Sequence, residues 1–260
     1  MFHDSTSGLI ATRQKVARGP ASLEGDNMGY FKIYLALFVI IAEIFLLNGC
    51  AARRNMAFTK SIEQIDISKE SIAIFTLKTS NSYKPGCQPF ADFVTIKSKN
   101  RADQDETYEY YTNLPTKAVQ GTYNEYFLSV QMTPGEYILD TITGMVILYH
   151  MNGNCGSFDI PINATFKIEP DSLVYIGRIE ADNVKRVNDD ELRAGPVLPL
   201  LDQALSGYYT GTFRVKVYDN FDEDIASFAN EFPAIKNQKI VKGILQKAIS
   251  TEKPKEAVGQ

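Results

Sequence analysis

From residue 71 to residue 218 the chain runs in short apolar–polar alternations punctuated by turn residues, the two-residue period of strands with one buried face. Strands are expected over 71–77, 93–97, 126–132, 145–150, 164–168, 173–179 and 212–218. In 126–132, Tyr126, Leu128, Val130 and Met132 share one face against Phe127, Ser129 and Gln131. In 212–218, Phe213, Val215 and Val217 oppose Arg214, Lys216 and Tyr218. Pro134-Gly135 offers one fixed φ and one permissive φ ahead of the extended run 137–142, so 126–142 reads as a hairpin. Strands with one wet face point to a mainly β fold, an antiparallel two-sheet sandwich.

The alternation breaks over 180–211, where Pro196 and Pro199 interrupt an apolar stretch. This long insertion, with a helical turn or two at 200–205, is the expected binding edge, because connections of that length are unusual unless functional. Beyond 218 the period becomes helical. Asp222-Glu223-Asp224 puts carboxylates at a helix start, and that helix ends near Glu231, ahead of Pro233. A second helix is expected over 233–249, with Ile240, Val241, Ile244, Leu245, Ala248 and Ile249 on one face. Lys236, Lys239, Lys242 and Lys247 fall on the other, which suits solvent or an acidic surface.

Ahead of these elements, residues 33–47 are apolar except for Glu43 and follow Lys32. That length suits an export signal and falls short of the ~20 residues that span a bilayer. Residues 28–49, from Met28, therefore read as a signal peptide, and 1–27 as disordered sequence upstream of the working start. The run closes on Leu47-Asn48-Gly49-Cys50, followed by Ala51. This resembles the lipobox of bacterial lipoproteins: an aliphatic residue at minus three, a small one at minus one, then the cysteine. Asn48 and Glu43 depart from the usual pattern.

The lipobox resemblance implies diacylglycerol on the Cys50 sulfur, cleavage before that residue and acylation of the new amino terminus. Two or three chains hold a protein firmly, at ~0.8 kcal/mol per buried CH₂. Ala51 stands where an aspartate retains such proteins at the inner membrane, so the resemblance implies the outer membrane, facing the periplasm; the inner membrane is the alternative. The same segment read as an uncleaved spanning helix has to take Glu43 into the bilayer. Residues 50–60 then form a lipidated tether carrying Arg53, Arg54 and Lys60. Residues 61–249 form the sandwich with its two C-terminal helices, and 250–260 a disordered tail.

Once Cys50 is acylated, Cys87 and Cys155 remain, an even number in an oxidising compartment, and a disulfide between them is expected. Two separate buried thiols are the alternative. The segment Pro134-Gly135-Glu136-Tyr137-Ile138-Leu139 is similar to a hairpin of transthyretin-like and carboxypeptidase-regulatory-like sandwiches. Leu173-Val174-Tyr175-Ile176-Gly177 resembles a strand of bacterial lipoproteins built on such sandwiches. Both likenesses imply an Ig-like or transthyretin-like fold and no activity.

Composition narrows the function. The 260 residues are 44% hydrophobic and 22% charged, ordinary globular usage, and a net charge of -4 argues against a surface given over to nucleic acid. In the mature chain His150 is the sole histidine, and no Gly-x-Ser-x-Gly elbow accompanies it. Gly153-Asn154-Cys155-Gly156-Ser157-Phe158 resembles a cysteine-protease signature but carries Phe158 at the nucleophile's place. Asn220, Asp222, Asp224 and Glu231 imitate a calcium loop, with Ile225 where the turn needs glycine. Tyr108, Tyr110, Tyr111, Tyr208 and Tyr209 offer ring surface for sugars.

No metal site and no cofactor is expected. The reading is a non-catalytic interaction or assembly module with two partners, the membrane through Cys50 and a protein of the cell envelope. An envelope hydrolase using His150 is the alternative.

Overall fold

The computed structural model describes residues 53–62, 64–68, 70–99, 106–148, 153–195 and 207–247. In chain order these form β1 (Ser71–Asn81), β2 (Pro89–Ser98), β3 (Thr107–Tyr111), β4 (Lys117–Val119), β5 (Tyr123–Met132), β6 (Gly135–Leu148), β7 (Gly153–Ile168), β8 (Leu173–Lys185) and β9 (Gly211–Tyr218). Helix α1 (Phe221–Glu231), a 3-10 turn (Pro233–Ile235), β10 (Ile240–Lys242) and β11 (Gln246–Lys247) complete the order.

The strands make two sheets, as the alternation predicts. One runs β10-β8-β1-β5-β4, with β9 also paired to β8; the other runs β11-β7-β6-β2-β3. The first sheet is mixed, because β8 lies parallel to both β1 and β10. Between the sheets lies the main core. Phe75, Leu77, Tyr126, Leu128, Val130, Met132 and Ile179 meet Val94, Ile96, Tyr110, Leu139, Ile142, Phe158 and Ile160. A second core sits on the outer face of the first sheet, where Ile72, Ile74, Leu173 and Tyr175 lie under Phe228 and Phe232. β1 is therefore buried on both faces, which its near-continuous apolar run anticipates.

Residues 126–142 are not a hairpin. β1 takes one side of β5 along Asn124–Met132; on the other, β4 pairs with Tyr123–Glu125 and residues 57–58 bond Ser129. Pro134 instead carries the chain into the opposite sheet, where Gly135 opens β6 against Ile168 of β7. The two apolar rows of 126–142 thus face each other across the core. β3 and β4 escaped the sequence reading, since Thr107–Tyr111 alternates only among tyrosines and β4 is exposed throughout.

The second expected helix is also corrected. After the 3-10 turn the chain becomes extended, and Ile240–Lys242 adds to the edge of β8 in register with Leu173–Tyr175. Gly243 N–H donates to the Tyr175 carbonyl at 2.9 Å, and Leu245 N–H donates to that of Ile176 at 2.9 Å. Ile240 and Val241 are β-branched and Gly243 is a poor helix former, so an open strand edge outcompetes the helix. The helical spacing of apolar residues has a different origin: Ile240 and Ile244 pack on the outer core, while Leu245 enters the inter-sheet core. Position 243 suits glycine, because a Cβ there would lie 2.7 Å from Val174 Cγ1.

The first helix stands where it was expected. Its first turn carries Asp222, Glu223 and Asp224, and it ends before Pro233.

Candidate functional site

The amino-terminal segment joins the fold earlier than a tether would. Arg54 N–H donates to the Glu109 carbonyl at 2.8 Å, and Tyr111 N–H donates to the Arg54 carbonyl at 2.9 Å. Residue 54 thus extends the second sheet beyond its edge strand β3. Arg53 pairs with Glu109 at 2.9 Å and lies 4.1 Å from the Phe93 ring centroid. Met56 enters the inter-sheet core and Phe58 the outer core. Ala57 N–H donates to the Ser129 carbonyl at 2.8 Å, and Phe58 N–H donates to Ser129 Oγ at 2.9 Å. From Arg53 onward, then, the expected tether is folded. Cys50 itself and the expected signal peptide, 28–49, lie outside the described residues.

The most concentrated electrostatics sit under α1. Gly177 has a φ of +117° and forms a bulge on β8, seen as a register shift against β1 between Ile74 and Thr76. Ahead of the bulge Val174 and Ile176 face the core; beyond it Ile179 and Ala181 do. The extra residue rephases the strand, so Tyr175 and Arg178 both reach the helix side. There Tyr175 Oη donates to Asp224 Oδ2 at 2.7 Å, and Arg178 donates to Asp224 Oδ1 from Nε at 3.0 Å and from a terminal nitrogen at 2.5 Å. The other terminal nitrogen of Arg178 donates to Glu125 Oε1 of β5 at 2.7 Å. Asn220 Nδ2 adds a donor to Asp224 at 3.0 Å.

Burial works against the Arg178 charge, but the two carboxylates outweigh it and hold its pKa above the ordinary range. Burial and the Asp224 hydrogen bond push the Tyr175 phenol well above its usual value. Every polar group of this knot is engaged by another. Its chemistry is that of a clamp joining α1 to β8 and β5. Sequence reading placed Asp224 at the helix start and missed Arg178 and Glu125; the available signal was an arginine directly after glycine inside an apolar strand.

Of the residues that imitate a calcium loop, Asp224 and Asn220 belong to this clamp, whereas Glu231 pairs with Lys60. The tyrosines are mostly structural. Tyr108, Tyr110 and Tyr208 are buried, Tyr111 is 42% exposed, and Tyr209 carries Arg193 over its ring at 4.6 Å. The expected lysine row is likewise dispersed, with Lys242 paired to Asp219 at 2.9 Å and set over the Phe221 ring.

Of the 180–211 insertion, 180–185 continues β8, and 186–195 and 207–210 form hydrogen-bonded loops; the expected helical turn at 200–205 lies outside the described residues. Ala194 N–H donates to the Gly211 carbonyl at the head of β9, while its own carbonyl accepts from Asp159 of β7, both at 3.0 Å. Ala194 thereby staples the two sheets. Glu191 pairs with Arg214 and accepts from Val187 N–H; that backbone bond and Arg214 hold its carboxyl below the usual range.

Cys87 is buried at the end of the sandwich where β2 begins, and its carbonyl accepts from Tyr208 Oη at 3.0 Å and from Asn81 Nδ2 at 2.8 Å. The backbone of Cys155 lies near the start of β7 at the same end of the same sheet, with β6 between β7 and β2. The Cys155 side chain and His150 lie outside the described residues. A groove of about 540 Å³ runs between the 113–116 loop, β5 and the end of α1, walled by Leu114, Phe127 and Phe232 and bridged by a Lys60–Glu231 ion pair at 2.8 Å.

Among the described residues, no group of three His, Cys, Asp or Glu side chains could hold a metal ion, and no helix is long and apolar enough to cross a membrane. No protein family model, no curated protein and no solved structure matches this chain.

Proposed function

We propose that this chain is a lipid-anchored protein of the bacterial envelope, acylated on Cys50 and exposed to the periplasm from the outer membrane, whose sandwich serves as a non-catalytic interaction or assembly module. The observation that carries this reading is the order of three features along the sequence: an apolar run too short to span, the Leu47-Asn48-Gly49-Cys50 lipobox, and a domain that already holds Arg54 by backbone hydrogen bonds. The Arg178 clamp supports the non-catalytic part, because its buried charges hold an element in place. The edge of β9 and the 186–195 loop, with Val187 77% exposed, are the surfaces best suited to a protein partner. The likeness to transthyretin-like sandwiches rests on the start of β6 and on β8, and it brings no activity with it.

Metabolic palmitate labelling of the native chain, with globomycin to block signal cleavage, tests the anchor. The expected result is a labelled protein whose label disappears in Cys50→Ala, and whose intact mass shows a chain beginning at Cys50. An unlabelled native protein, or one retaining residues 28–49, overturns it. The same preparation reads the remaining thiols. Cys87 and Cys155 are expected to react with a thiol reagent only after denaturation and reduction, since the disulfide would close a loop of ~70 residues and add roughly 4 kcal/mol in the chain-entropy account.

A further inference from the structure

We propose that the free edge of β9 is a docking site for an extended segment of a partner protein, which adds as a further strand and carries Asp or Glu at alternate positions beside Arg214 and Lys216. This rests on the reading of the sandwich as an interaction module and adds the chemistry of the partner. β8 holds one flank of β9, from Arg178 opposite Tyr218 to Lys185 opposite Gly211. On that flank the Thr210 carbonyl accepts from Arg186 N–H, so the alternation of the backbone turns Phe213, Val215 and Val217 to the other flank. Among the described residues, nothing bonds the N–H and C=O groups of these three; Ala194 takes the outward carbonyl of Gly211 and reaches no further. Their side chains pack on the inter-sheet core yet stay only partly buried, as those of an outermost strand do.

The rest of this side of the sandwich is closed or blunted. Residues 240–247 cross from β8 to β7 at one end, as β10 and then β11, and Ala194 joins Gly211 to Asp159 of β7 at the other. The facing edge, that of β7, carries Pro161, which has no N–H to offer, and Asn163 at a φ of +49°. β9 has neither device. Between Phe213 and Val217 its edge is open for about 13 Å at ~3.3 Å per residue, the length of a short strand.

A second copy of β9 is a poor occupant. Arg214 and Lys216 are exposed on its outer face, and antiparallel pairing opposes residues of one face. Val215 opposite Val215 sets Arg214 against Lys216, and the neighbouring registers set each cation against itself. Like charges so placed repel. An acidic strand meets the reverse condition. Asp182 and Glu180 already stand opposite Arg214 and Lys216 on the β8 flank, and Glu191 pairs with Arg214. Carboxylates on an added strand therefore enclose the cation row between two acidic rows. The alternate positions, level with Phe213, Val215 and Val217, extend the core and suit β-branched residues.

Two fluorescein-labelled peptides probe the edge, Thr-Val-Glu-Val-Glu-Val-Thr and the same sequence with lysine in place of both glutamates, read by anisotropy against the full-length chain in detergent. Amide exchange by NMR reads the edge itself. In the chain alone, the amides of Phe213, Val215 and Val217 are expected to exchange freely, while those of Arg214 and Lys216, bonded to β8, are protected. The glutamate peptide is expected to bind saturably, at least about tenfold tighter than the lysine peptide, and to slow the three outward amides by about tenfold or more. Lys216→Glu should reverse the preference between the peptides. Val215→Pro, which deletes an outward N–H, should weaken the glutamate peptide about tenfold with the Lys216 amide still protected; if the proline disturbs β8 pairing, Lys216→Glu alone decides. Outward amides protected at every concentration show that the chain covers its own edge, and protection that grows with concentration shows a second copy. Either result overturns the proposal, as do equal affinities for the two peptides or binding of neither, and each leaves the 186–195 loop as the surface of an interaction module. A Cys50 without lipid overturns the anchored reading and leaves these measurements standing.

Discussion

Tyr175 and Arg178 stand three residues apart on one strand yet bond the same carboxylate, that of Asp224. An unbroken strand would point them to opposite faces. The bulge at Gly177 brings them together, and the clamp they form with Glu125 joins α1, β8 and β5 by charge.

Removing one member of that clamp should cost far more than a surface ion pair would. Asp224→Ala leaves the Arg178 guanidinium buried with only Glu125 to face, and a broken buried pair typically costs about 3–5 kcal/mol. A double-mutant cycle of Arg178→Met with Asp224→Asn, read by urea unfolding, should return a coupling of about 2–3 kcal/mol. Additive losses would show that the two groups act independently.

The bulge has its own test. Gly177 adopts a φ of +117°, and a Cβ there would lie 3.3 Å from the Tyr218 carbonyl oxygen. Gly177→Ala should lower stability by about 1–3 kcal/mol through backbone strain. The same change at Gly86, where an added Cβ meets nothing within 4 Å, is the comparison and should be close to neutral.

Alkaline pH should unfold the domain over a defined window. Burial raises the Tyr110 phenol to about 12 against the opposing pull of Arg54, while its hydroxyl donates to the Gln131 carbonyl at 2.6 Å. Burial likewise raises the Tyr218 phenol to about 12. A pKa raised in the folded state contributes stability that is complete below the unfolded value of about 10 and fades as pH climbs through the folded value. Stability should therefore hold to pH ~10 and fall between pH ~10 and ~12, with tyrosinate absorbance rising together with loss of near-ultraviolet dichroism. Ionisation of Tyr110 well ahead of unfolding would contradict the burial of its ring.

The segment ahead of β1 should prove essential to the fold. Phe58 is fully buried between the first sheet and Phe232, with ring centroids 5.7 Å apart. Phe58→Ala should cost about 3–5 kcal/mol. A chain beginning at Ser61 loses Met56 as well and should show a lower thermal midpoint than one beginning at Ala51.

Much of the architecture was legible because burial on one face writes itself as alternation. Phe213, Val215 and Val217 against Arg214, Lys216 and Tyr218 is a complete statement of which way β9 faces. Pairing was not legible. Pro134-Gly135 is good turn chemistry, and nothing local reveals that both edges of β5 are already taken, so a hairpin was read where the chain changes sheets. The spacing of Ile240, Ile244 and Leu245 suits a helix as well as a strand that crosses from one core to the other. The clamp was half legible: Asp224 announces a helix start, but its partner Arg178 lies on β8, 46 residues earlier, and Glu125, which Arg178 also holds, lies on β5, 99 residues earlier. The resemblance of Leu47-Asn48-Gly49-Cys50 to a lipobox needs no fold to be read, and it is correspondingly silent about what the fold does.

β1 owes its place to partners far downstream. Its parallel neighbour is β8, Ile72 standing opposite Leu173 and Asn81 opposite Asn183, and both sheets gain their last strands only at β10 and β11. Contacts so remote along the chain are slow to form. The first sheet cannot close around β1 before β8 has been made, so this strand waits through about a hundred residues for its parallel neighbour.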